Sequence, residues 1–97
     1  MINIFRSLAK AFDKLSIDTL DRIKINNVVS GIYANREVTE EALNQLAEYL
    51  PGSRTMVANS LMVSPADLKE MVAEGDLRYE LFIAALHGEL SHKYGEG

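Results

Sequence analysis

Apolar residues recur along this chain at the spacing of an amphipathic helix rather than in alternation. A period near 3.6 places apolar side chains on one face of a helix, whereas a half-buried strand requires a period of two. The sequence has only two prolines and no alternating run rich in valine, isoleucine and threonine. We therefore predict an all-α fold, a compact bundle of five to six short helices that includes a helix-turn-helix-like hairpin.

The first predicted helix runs from about Ile2 to Leu15, and the second begins near Ser16. A serine hydroxyl can cap a helix N-terminus, and Asp18 would favour the positive end of the helix dipole. The apolar stripe of the first helix is Ile4, Phe5, Leu8, Ala11, Phe12 and Leu15. The expected buried face of the second helix is Leu20, Ile23, Val28 and Ile32, with Ile25, Val29 and Tyr33 as further candidates.

Two shorter helices are predicted next, after a turn at residues 35–37. Thr39 is the expected N-cap of the third helix, and Pro51 with Gly52 ends it. Its predicted inner residues are Ala42, Leu43, Leu46, Ala47 and Leu50. Ser53 is the expected cap of the fourth helix, whose inner face would hold Met56, Val57, Ser60 and Leu61.

The most specific local signal is the start of the fifth helix. Ser64 stands at an N-cap position, Pro65 follows at the first helical position, and Asp67 lies in the first turn. The helix carries Leu68, Met71 and Val72 inward and ends at Gly75, a residue type that accepts a left-handed conformation. Asp76 is the expected cap of the last helix, whose inward residues would be Leu77, Leu81, Phe82, Ala85, Leu86 and Leu90.

The length of 97 residues suits one domain, which we place at residues 1–94, with a flexible tail at residues 95–97. The sequence contains no cysteine. A disulfide framework, a thiolate zinc site and a cysteine nucleophile are therefore excluded.

The charge balance bears on the partners of the protein. Fourteen acidic residues against ten basic ones give a net charge of −4, which removes long-range attraction to nucleic acid or anionic lipid. No apolar run approaches the length of a membrane span, and no export signal is visible. We expect neither a nucleic-acid partner nor a membrane partner for this segment.

Residues suited to catalysis or metal binding are few and badly spaced. His87 and His92 lie five positions apart, so they point in different directions on a helix instead of chelating one ion. Glu89 lies between them and is expected to be solvated, while Glu40 and Glu41 suit the first turn of a helix. The glycines form no phosphate-binding motif. We predict no catalytic, cofactor-binding or metal-binding residue, no cofactor, and a protein that is not an enzyme.

The hairpin at residues 57–73 leaves a second interpretation open. An alanine expected between the helices, an apolar residue before the turn, and a second helix with Leu68 and Val72 buried are typical of helix-turn-helix motifs. However, Asp67, Glu70 and Glu74 would face outward with only Lys69 to oppose them, which would repel phosphates. A small helix-turn-helix DNA-binding regulator is therefore the alternative to a structural hairpin.

Several sequence segments, in their order along the chain, resemble a helical domain of the tail tape-measure proteins of long-tailed bacteriophages and prophages. They are FRSLAKAF at 5–12, VTEEALNQLAEYLPG at 38–52, VANSLMVSPADL at 57–68 and VAEGDL at 72–77. The resemblance covers about residues 5–90. It departs from the family pattern at Ala47 and Met62, where a small residue, often glycine, is usual, and at Ser53, where alanine is usual.

The resemblance implies a virion structural role in tail assembly, since tape-measure proteins template the polymerisation of the tail tube. Those proteins are far longer, so this chain is expected to be an excised domain or a small relative. The implied partners are tail-tube, tail-tip or assembly-chaperone proteins, and the implied location is the virion tail or the bacterial host cytoplasm. A homo-oligomer is a further possibility if an apolar face such as Ile4, Phe5 and Leu8 stays uncovered.

Overall fold

Six helices joined by short turns make up the computed structural model, which describes residues 4–94. The helices are α1 (Ile4–Leu15), α2 (Thr19–Asn35), α3 (Glu40–Tyr49), α4 (Ser53–Ser60), α5 (Pro65–Ala73) and α6 (Tyr79–Tyr94). Residues 4–94 contain no strand, and the predicted all-α bundle is confirmed. The expected helix start at Ile2 and the expected flexible tail at 95–97 lie outside the described residues.

The last helix, α6, organises the bundle, because both α1 and α4 pack against it. The second helix, α2, packs against α3, which also contacts α4 and α5. One continuous hydrophobic cluster joins these layers. Its largest fully buried side chains are Ile4, Leu8, Ile25, Val29, Leu43, Leu46, Leu50, Met56, Leu68, Phe82, Leu86 and Leu90. Because Ile4 and Leu8 lie in this core, they are not free to form a face for a second copy.

The corner between α1 and α2 differs from the sequence prediction. Ser16 has a left-handed backbone with a φ of 56°, and the N–H of Ile17 donates to the carbonyl of Phe12 at 3.0 Å. This is the pattern of a helix C-terminus, so Ser16 ends α1 and does not cap α2. The cap is Asp18, whose carboxylate accepts from the N–H of Asp21 at 2.9 Å.

The buried face of α2 is narrower than predicted. Ile25, Val29 and Ile32 are buried, whereas Leu20 and Ile23 are 61% and 51% exposed. The helix carries apolar residues on more than one side, so its sequence does not define a single buried stripe. The packing of α2 against α3 determines which of these apolar residues are buried in the core.

The predicted N-cap of α3 is confirmed, but the predicted N-cap of α4 is wrong. The hydroxyl of Thr39 accepts from the N–H of Ala42 at 3.0 Å. At α4 the N-cap is Gly52, with a φ of 81°, and Ser53 is the first residue of the helix. Ser60, expected on the inner face, is exposed, and Ala58 is buried instead.

The boundaries of α5 agree with the sequence prediction. The hydroxyl of Ser64 accepts from the N–H of Asp67 at 3.1 Å, and Pro65 stands at the first helical position. Gly75 has a φ of 73°, and the N–H of Asp76 donates back to the carbonyl of Met71 at 2.9 Å. The helix therefore ends with the left-handed glycine that its sequence predicts.

The start of α6 lies further along the chain than predicted. Its first residue is Tyr79, and the carbonyl of Arg78 accepts from the N–H of Phe82 at 3.1 Å. Asp76 takes part in ending α5, so it is not the cap of α6. Leu81, which was expected to point inward, is exposed, and Ile83, which the prediction did not include, is buried.

We expect Ser64→Ala to destabilise the protein by about 1 kcal/mol, because it removes the acceptor for the orphan N–H of Asp67. Urea denaturation followed by circular dichroism would measure the change. Ser30→Ala serves as control, since Ser30 lies exposed within α2 and caps nothing. An unchanged free energy of unfolding for Ser64→Ala would contradict the capping geometry.

We expect Met62→Gly to stabilise the protein by roughly 0.5–1 kcal/mol. Met62 ends α4 with a φ of 59°, a conformation that costs a non-glycine residue about 1–2 kcal/mol and glycine little. Added chain entropy in the unfolded state offsets part of this gain. The side chain is 91% exposed, so its removal loses little packing. The control Met62→Ala keeps the strained left-handed backbone and should leave the thermal midpoint nearly unchanged. A lower midpoint for Met62→Gly would refute the left-handed conformation described at this position.

Candidate functional site

Three aromatic rings from three different helices meet at the surface. The ring centroids of Phe5 and Tyr33 lie 6.3 Å apart, and those of Tyr33 and Tyr79 lie 6.2 Å apart in an edge-to-face arrangement. These distances fall in the range of favourable aromatic pairs. Phe5 is 40% exposed and Tyr33 is 37% exposed. We call Phe5, Tyr33 and Tyr79 the aromatic cluster.

The positions of these rings follow from the helix boundaries. Phe5 lies beside the buried Ile4 in the first turn of α1, Tyr33 lies in the last turn of α2, and Tyr79 is the first residue of α6. The periodicity predicted Phe5 and Tyr33 as core candidates, but both remain at the surface. No sequence signal connects these three residues, because tertiary packing alone brings the three helix ends together.

An open groove with a volume of about 830 Å³ lies next to this cluster. It separates the turn between α2 and α3 from the connection between α5 and α6, and Tyr79 lines it. Val38, Val72 and Leu77 also line it and are buried in the core. The charged lining residues are Arg36, Glu37, Glu40, Glu74, Arg78 and Glu80. We call this feature the charged groove.

The charged groove has an acidic excess, with four carboxylates against two guanidinium groups. These six side chains are exposed, and none of them forms an ion pair with another residue in the range 4–94. The ion pair that the described residues do show joins Arg22 to Asp13 at 3.2 Å and lies at the corner between α1 and α2. The charges of the groove are therefore solvated and free to meet a partner.

A buried serine contacts one of the two histidines that the sequence singled out. The Oγ atom of Ser7 lies 2.6 Å from Nδ1 of His87 and 3.4 Å from Oγ of Ser91. Sequence reasoning missed Ser7 because it stands 80 positions from His87. A nucleophile and base pair also needs a group that orients the base, and no carboxylate bonds to His87 among the described residues. The hydrogen bond instead links α1 to α6 within their interface.

The remaining residues considered for chemistry do not converge. His92 is exposed and Glu89 is half-buried on α6, while Glu40 and Glu41 are exposed in the first turn of α3. Residues 4–94 contain no group of three or more histidine and carboxylate side chains placed to hold a metal ion. No helix within the same range is long and apolar enough to span a membrane.

The predicted hairpin is formed by α4 and α5, joined by the turn at residues 61–64. These two helices pack against each other, and Leu68 and Val72 point into the core. Asp67, Lys69 and Glu70 are exposed on α5. The outer face of the second helix thus carries more negative than positive charge, as the sequence suggested.

Comparison with known proteins gave no match: no family model, no curated protein and no solved structure matches this chain.

Proposed function

We propose that this protein is a protein-interaction domain that acts in the assembly of a long bacteriophage tail, as a fragment or small relative of a tape-measure protein. The single observation that carries the interaction role is the aromatic cluster, in which Phe5 and Tyr33 are exposed and Tyr79 is half-buried. The resemblance of several sequence segments to tape-measure domains supports the proposed role in tail assembly. The proposed role needs no catalysis and no cofactor.

Leaving apolar ring surface in water costs free energy that burial against a partner recovers. Exposed aromatic residues are typical anchors of protein interfaces, where they bury large areas with little loss of side-chain entropy. Here each ring contacts another ring of the cluster, which restricts the side chains before binding and lowers the cost of ordering them. Charged residues beside the rings would form the polar rim of such an interface. Tail-tube, tail-tip and assembly-chaperone proteins are the proposed partners.

Co-expression with the tail-tube, tail-tip and chaperone proteins of the source phage or prophage would test the proposal. We expect one of them to co-purify with the tagged chain, and Tyr33→Ala to weaken that complex by about tenfold or more. Leu20→Ala is the matched control, because Leu20 is exposed on the same helix outside the aromatic cluster. Failure of all three to bind, or equal binding by both variants, would refute the proposal.

A small helix-turn-helix DNA-binding regulator is the second candidate function. The observation that favours it is the hairpin of α4 and α5, whose turn contains the left-handed residue Met62. The exposed acids of α5 disfavour contact with phosphates, and no arginine stands on that helix to read base edges. A DNA mobility assay at low salt separates the candidates, since retarded DNA at micromolar protein would favour the regulator.

A further inference from the structure

We propose that the charged groove binds a cationic polypeptide segment that inserts an apolar side chain against Tyr79. The segment would be extended or helical, with lysine or arginine residues beside one or two large apolar residues. This inference rests on the proposed function as a protein-interaction domain, because it names the chemistry of the partner at the same surface.

The aromatic cluster and the charged groove are continuous through Tyr79. Tyr79 belongs to the aromatic cluster through its edge-to-face contact with Tyr33, and it also lines the charged groove. An occupant of the groove would therefore reach the half-buried ring of Tyr79, next to the exposed Tyr33, without leaving the cleft. Peptide-binding grooves commonly combine such an apolar anchor point with charges along the rim.

The carboxylates of the charged groove are accessible to a partner. Glu37, Glu40, Glu74 and Glu80 are exposed and make no ion pair with residues 4–94. Their charges are not neutralised by the fold, so a partner that brings basic groups gains attraction without breaking an internal pair.

The net charge of the groove favours one kind of occupant over another. Four carboxylates against two guanidinium groups leave the groove with an acidic excess, and the whole chain carries a net charge of −4. Two copies meeting face to face would bring like charges together, which disfavours association. A basic segment complements both the groove and the whole protein, so charge favours it over a second copy.

The test uses a fluorescein-labelled peptide of lysine, leucine and phenylalanine, and a matched peptide in which glutamate replaces every lysine. Fluorescence anisotropy measures the dissociation constants, and amide signals of the isotopically labelled protein map the site. We expect only the lysine peptide to bind, with shifts concentrated in residues 35–40 and 72–80. The affinity should fall as salt rises, because exposed charges are screened.

Two variants with equal charge separate the groove from general attraction to an acidic protein. The double variant Glu74→Gln with Glu80→Gln neutralises two charges of the groove, and Glu48→Gln with Glu70→Gln neutralises two exposed charges outside it. We expect the groove variant to weaken binding of the lysine peptide about fivefold. The control variant should change it less than twofold.

Three results would overturn the inference. They are equal binding of both peptides or of neither, amide shifts outside the groove, and a doubled mass in light scattering that the groove variant reduces to that of one chain. The last result would identify a second copy as the occupant. If a tail protein binds through Tyr33 while the lysine peptide does not bind, this inference fails and the proposed function stands. If the peptide binds but no tail protein does, the proposed function fails instead.

Discussion

Phe82→Ala is expected to lower the free energy of unfolding by about 3–5 kcal/mol, which is a large share of the roughly 5–15 kcal/mol of a typical domain. Phe82 is fully buried on α6, the helix against which both α1 and α4 pack. Removing the ring leaves a cavity between helices that the short turns cannot easily close. Urea denaturation monitored by circular dichroism would measure the loss.

The neighbouring position on α6 provides the control for Phe82→Ala. Leu81 is 46% exposed, so Leu81→Ala should lower the free energy of unfolding by no more than about 1 kcal/mol. Equal losses at the two positions, or a larger loss at Leu81, would show that the helix is rotated relative to the packing described.

Leu68→Ala is expected to lower the free energy of unfolding by about 2–5 kcal/mol through lost burial and the cavity left behind. Leu68 is fully buried on α5, where it fixes the hairpin of α4 and α5 to the core. The matched control is Leu20→Ala, the same chemical change at a largely exposed position of α2, with an expected loss under about 0.5 kcal/mol. A loss below about 0.5 kcal/mol at Leu68 would show that α5 is wrongly placed.

The helix ends illustrate how far local sequence determines structure. Thr39 and Ser64 cap α3 and α5 as predicted, because each supplies an oxygen to an N–H three residues further on. Ser16 has the same chemistry but ends α1 instead. Asp18, which was expected at the positive end of the helix dipole and not at the cap, is the N-cap of α2, because the chain turns at Ser16 to end α1.

The candidate site was far less predictable than the fold. Phe5, Tyr33 and Tyr79 are separated along the chain by 28 and 46 positions, and periodicity assigned the first two to the core. Neither the aromatic cluster nor the pair of Ser7 and His87 has a sequence motif. The pair depends on how α1 packs against α6, and the cluster depends on where the end of α2 lies relative to them. No local interaction determines either arrangement.

The sequence alone determined the all-α class through the helical period of its apolar residues. It also determined the cap of α5 at Ser64 and the left-handed end at Gly75, because hydrogen bonds and backbone preferences within a few residues decide such features. Only the tertiary structure decided that Leu20 and Ile23 stay exposed while Ile25 and Val29 are buried, and that an aromatic cluster adjoins a charged groove. The physical reason is that burial is non-directional. An apolar helix residue can be covered from several sides, and the packing of the whole bundle selects one of them.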